Sequence, residues 1–80
     1  VRINEMINSL DMVVLCRALP AYGLEAGDVG TVVHCYRDGE AVEVEFITGE
    51  GETVAVETLE AAEVRPLHRR EILHARELAA

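Results

Sequence analysis

Lysine is absent from this chain, and all seven of its basic residues are arginines. Between residues 38 and 63 even arginine is missing, while nine acids fall there. A surface built from that segment repels phosphate backbones, whose binding depends on Lys and Arg contacts. Nucleic-acid binding is therefore not expected, and a basic protein partner is. Serine occurs once, at Ser9, and no Cys-x-x-Cys pair occurs. Acyl transfer needs a nucleophile with a base in hydrogen-bond reach. The candidates are Cys16 or Cys35 with His34, His68 or His74. His34 and Cys35 are neighbours, so on a strand they point to opposite faces. A zinc site wants ligands in close sequence pairs, whereas His68 and His74 stand six apart. No catalytic residue, metal or cofactor is expected, and the protein reads as a non-enzyme.

Long apolar runs are missing too. None approaches the ~20 residues of a membrane span. The first ten residues carry Arg2, Asn4, Glu5 and Asn8, which is not a secretory leader. A cytoplasmic protein follows, with Cys35 a small buried hydrophobe and no disulfide. Val1 in place of Met points to trimming or an alternative start codon, and Met6 is a second candidate start.

What is present suffices for one domain over residues 1–80. Half the residues are apolar, enough for a core, although a chain this short buries only roughly 60% of its unfolded surface. Ile3, Met6, Ile7 and Leu10 have helical spacing in a segment too short to stand alone. Residues 12–18 read as a first strand that is apolar at nearly every position. One wet face would give alternation, so its second face should be covered. Pro20 ends that strand, and Tyr22 and Leu24 should fold the following loop back over one end. In Gly27-Asp28-Val29-Gly30-Thr31-Val32-Val33, glycine supplies a positive φ or a close approach, and the β-branched residues launch strand two, 29–36. Asp38-Gly39 signals a tight hairpin into strand three, 41–47. Gly49-Glu50-Gly51 turns into strand four, 53–57. A 3₁₀-like connector over 59–63 leads to a last strand, 64–67. Residues 69–79 read as a terminal helix with Ile72, Ala75, Leu78 and Ala79 on one side.

A two-residue Asp38-Gly39 turn sets Cys35 opposite Val42, His34 opposite Glu43 and Val33 opposite Val44. If Val44 and Phe46 point inward with Val56 and Val54, then Glu43 opposes Glu57. A one-residue slip would expose those apolar side chains. The outer face should then carry a row of His34, Glu43 and Glu57, with Glu45 beside it. Like charges directly opposite are mildly destabilising, so the row reads either as a docking patch for Arg or Lys or as a solvated outer face that tolerates mild repulsion. Tyr22 and Tyr36 are candidate aromatic anchors.

The Gly27–Val33 motif resembles the SH3-like barrels of the KOW type. Asp11-Met12-Val13-Val14-Leu15, Leu19-Pro20, Gly23-Leu24, Asp38-Gly39-Glu40, Val42-Glu43-Val44-Glu45-Phe46, Leu59 and Val64-Arg65-Pro66-Leu67 follow the same order. Over residues 10–67 the chain resembles a bacterial family of small proteins known only as a domain of unknown function. The resemblance implies a mainly β fold: a small, partly open, five-stranded SH3-like barrel (about 11–67) with a short N-terminal segment and a C-terminal helix (about 69–79). It also implies a gene beside that of a second small protein, as in toxin–antitoxin or effector–immunity pairs. The expected function is an acidic interaction module of antitoxin or immunity type. Its contacts would be Glu43, Glu45, Glu57, His34, Tyr22 and Tyr36. The alternatives are a stabilising accessory subunit of a heteromeric enzyme, or a homodimer through Met12, Val14 and the C-terminal helix.

Overall fold

The computed structural model describes residues 7–36 and 39–78. Five strands form one antiparallel sheet: β1 (Met12–Leu15), β2 (Val29–Tyr36), β3 (Ala41–Ile47), β4 (Thr53–Glu60) and β5 (Val64–Pro66). Their spatial order is β4-β3-β2-β1-β5. Short 3₁₀ turns lie at Pro20–Tyr22 and Ala61–Glu63. Among the described residues no helix is long and apolar enough to cross a membrane. The core gathers Val13 and Leu15 of β1, Val32 of β2, Val42, Val44 and Phe46 of β3, and Ala55 and Leu59 of β4.

β1 is an interior strand, paired with β2 on one side and β5 on the other. That position explains its unbroken apolar run, since Val13, Val14 and Leu15 are all buried. Val13 and Leu15 face the main core. Val14 faces the other way, where the register sets it between Val29 and Arg65. The strand stops at Leu15 and does not reach residue 18. Beyond it, Leu15 N–H donates to Asp28 and Gly27 N–H donates to Leu15, which closes the 16–26 loop. Leu24 caps the core as expected, but Tyr22 stays exposed.

The two glycines of the opening motif do different work. Gly27 takes φ +98°, a left-handed turn that L side chains rarely adopt. Gly30 stands opposite Val13. A Cβ there would lie 2.6 Å from a Val44 methyl and 2.8 Å from the Phe46 ring. Only hydrogen fits where β2 crosses the inner face of β3.

Two expected registers fail. Cys35 does oppose Val42 and His34 does oppose Glu43, but a bulge follows and Val32, not Val33, meets Val44. The bulge turns Val33 outward, where it is exposed. In the second hairpin Phe46 opposes Ala55, Val44 opposes Glu57 and Glu43 opposes Thr58. The inward positions of β4 are thus Ala55 and Leu59, and Val56 is 43% exposed. The choice follows from reach: Leu59 completes the core beside Val42, and β4 extends to Glu60 to place it.

The terminal helix is also absent. Residues 71–78 have no regular structure and run as a strap along the sheet. An extended chain covers about 3.3 Å per residue against 1.5 Å in a helix, and this one carries Arg76 back to the loop before β2. Two clasps replace the helical bonds. Glu71 receives a forked pair from Arg65 (2.9 and 2.7 Å) and the His68 N–H (2.7 Å). Arg76 grips Asp28 (3.0 and 2.5 Å) and the Gly23 carbonyl (2.9 Å). Of the parts expected to form a homodimer surface, Met12 is exposed, Val14 is buried and the helix is not there.

At the other terminus, residues 1–6 lie outside the described residues, so that part of the expected helical spacing does too. Residues 7–10 are irregular and turn. Asn8 N–H bonds the Asp11 carboxylate (2.8 Å) and Leu10 N–H reaches the Val32 carbonyl (2.6 Å), with Leu10 at φ 75°. Ile7 packs on the core and its carbonyl accepts the Cys35 thiol (3.4 Å). Both cysteines are free; Cys35 is half-buried and Cys16 exposed. Arg37 and Asp38 of the first hairpin turn lie outside the described residues.

Candidate functional site

Strand alternation decides which charges share a face. Along β3 the apolar Val42, Val44 and Phe46 are buried, so Glu43 and Glu45 point outward. Register then builds two outer rows. One joins His34, Glu43 and Thr58, and the next joins Met12, Thr31, Glu45 and Val56.

The first row is tied together by Tyr36. Its hydroxyl donates to Glu43 Oε1 at 2.8 Å, and the His34 ring meets it edge to face with centroids 4.4 Å apart. The hydrogen bond to the Glu43 carboxylate raises the Tyr36 phenol above its ordinary value, with partial burial and the nearby negative charge adding to it. In the second row the Thr53 hydroxyl donates to Glu45 Oε2 at 2.8 Å.

Glu57 does not join either row. It faces the side of the sheet that Val44 faces, and its neighbour is Tyr22. Hydrogen bonding to the Glu57 carboxylate, then its charge, raises the Tyr22 phenol. The six residues singled out from the sequence thus fall into three places. His34, Tyr36 and Glu43 stand together, Glu45 lies further along the same face, and Tyr22 and Glu57 stand apart from them. The separation removes the direct Glu43–Glu57 opposition, because Thr58 takes the place opposite Glu43.

Seven glutamates lie between residues 40 and 60. None of them makes an ion pair among the described residues, where the acids in ion pairs are Glu25, Asp28, Glu63 and Glu71. Arg17 pairs with Glu63 at 3.0 Å, and Glu63 also closes a capping box on Glu60. Among the described residues no three His, Cys, Asp or Glu side chains are arranged to hold a metal ion.

One feature had no signal in the sequence. A groove of about 620 Å³ opens between the strap and the sheet. The outer row of Met12, Thr31 and Glu45 forms one wall with Ile47, and Leu73 and Leu78 of the strap form the other. Four of these side chains are large, apolar and exposed: Met12, Ile47, Leu73 and Leu78. A helical reading of residues 69–79 hides this groove, because only an extended strap lays Leu73 and Leu78 across the sheet.

A family model described as Domain of unknown function (DUF4926) matches residues 9–66. The match ends at the last residue of β5, so it takes in the whole sheet and leaves the strap outside. No curated protein and no solved structure matches the chain. The chain belongs to the DUF4926 family.

Proposed function

We propose that this DUF4926 protein is a non-enzymatic docking module that receives a basic protein on the outer face of β3 and its neighbours. One observation carries the reading: the seven glutamates of residues 40–60 have no cationic partner among the described residues. Three of the arginines, Arg17, Arg65 and Arg76, are held by acids outside that stretch. Like-charged carboxylates on one small domain repel one another, and a cationic partner relieves that repulsion while its approach is steered by the same field. Tyr36 stands beside Glu43 as a flat amphipathic anchor of the type enriched in binding hot spots. His34 and Cys35 are consecutive on β2 and occupy opposite sides, one exposed and one against the core, which supports a binding role over nucleophilic chemistry. The family resemblance points to the adjacent gene's product as the partner and to an antitoxin or immunity role.

Co-purification with that product, followed by calorimetric titration, tests the proposal. The expected result is a complex of micromolar or tighter affinity in low salt. It should weaken as salt rises and weaken again in the Glu43→Gln/Glu45→Gln double variant. No complex at micromolar concentrations in low salt overturns it.

A further inference from the structure

We infer that the groove under the C-terminal strap receives an apolar side chain of the basic partner, with Glu45 taking a cation beside it. The inference rests on the docking reading above and names where its specificity comes from.

The groove has the size of a small-ligand site, and its rim gathers apolar side chains that water covers poorly. Ile47 is 56% exposed, Leu73 57%, Met12 42% and Leu78 42%. Convergent exposure of this kind marks an interaction surface more than scattered single residues do. The acids at the site are unequal. Asp28 is committed to Arg76 on both oxygens, and that hydrogen bond holds its carboxyl below the ordinary range. Glu45 receives only the Thr53 hydroxyl among the described residues, so its charge is available to a cation from outside. Glu45, which lines the groove, shares its sheet face with Glu43 and Tyr36. A partner lying across β3 therefore meets the carboxylates and the apolar groove together.

Charge selects among occupants. A second copy would bring a net charge of −8 toward Glu45 and the other hairpin acids, so self-association is opposed. A neutral apolar molecule would leave Glu45 without a counter-charge. A segment with a leucine- or isoleucine-sized residue flanked by arginine satisfies both walls.

Two amidated peptides, one Arg-Leu-Leu-Arg and one Arg-Ser-Ser-Arg at its centre, serve as probes against the methyl-labelled full chain. They carry equal charge and differ only in the side chains offered to the groove. The expected result is binding of the leucine peptide about tenfold tighter than the serine peptide, with shifts at the Met12, Ile47 and Leu73 methyls. Ile47→Gln, at an exposed position that leaves the core intact, should bring the two affinities together. Equal binding of both peptides, with no shift at the Met12, Ile47 and Leu73 methyls, overturns the groove and leaves the docking reading standing. Absence of binding by either peptide overturns the groove as well, and the co-purification experiment then decides the docking reading separately.

Discussion

β1 buries Val13, Val14 and Leu15 between two neighbouring strands, whereas the strap leaves Ile72 91% exposed and is fastened by Arg65–Glu71 and Arg76–Asp28. Burial of apolar area is non-directional and is not weakened by ionic screening. Exposed ion pairs are screened by salt and contribute little each. The sheet should therefore resist pH and salt, and the strap should yield to both. The contrast also explains why the apolar groove lies between them: the strap is close enough to form a wall and too weakly held to be part of the core.

The largest effect should come from the sheet register. Ala55 is buried opposite Phe46, and Val56 points out. Ala55→Asp would bury an unpaired charge and cost several kcal/mol, enough to unfold so small a domain. Val56→Asp, which sets a like charge opposite Glu45, should cost no more than about 1 kcal/mol. Chemical denaturation of the pair measures the difference, and the reverse ranking would restore the register in which Val54 and Val56 point inward.

Gly30→Ala comes next. Its Cβ meets Val44 and Phe46, both fully packed, and overpacking of this kind costs about 1–3 kcal/mol. The midpoint of urea unfolding reports it. A neutral result would show that the inner face of β2 is looser than its contacts imply.

The smallest effect belongs to the strap. Arg65 first, then the His68 N–H, lower the Glu71 carboxyl from 4.5 to about 2. Its folded-state value lies below the unfolded one, so the contribution is complete above about pH 4.5 and is lost as pH falls through about 2. Asp28 is lowered by Arg76 in the same direction. Acidification should release residues 71–78 to proteolysis or hydrogen exchange while the β1 amides stay protected. Arg76→Gln should do the same at neutral pH. Loss of protection in β1 together with the strap would show that the two regions are one cooperative unit.

Several features were legible in the chain before folding. Pro20, Asp38-Gly39 and Gly49-Glu50-Gly51 punctuate it by local backbone chemistry, and five strands lie between and beside them. Alternation in Val42-Glu43-Val44-Glu45-Phe46 gave the two faces of β3 correctly. Near the tight turn the register held, with Cys35 on Val42 and His34 on Glu43. Away from it the register slipped. The register shifts at Val32–His34 and at Phe46–Ile47, and neither shift has a local signal in the sequence. Both Val54-Ala55-Val56 parities look apolar in sequence. Leu59, which reads as connector, decided the matter by entering the core. That choice also removed Glu57 from the outer row.

The sequence by itself determined the sign of the surface and the places where the chain turns. Both are local: charge is counted residue by residue, and a turn is set by the φ and ψ preferences of one or two residues. Only the tertiary structure decided which carboxylates share a face, and that residues 71–78 lie extended and not helical. Those outcomes depend on partners far along the chain. Arg76 meets Asp28 from 48 residues away, and a short segment with marginal helical propensity takes whatever conformation lets such a contact form.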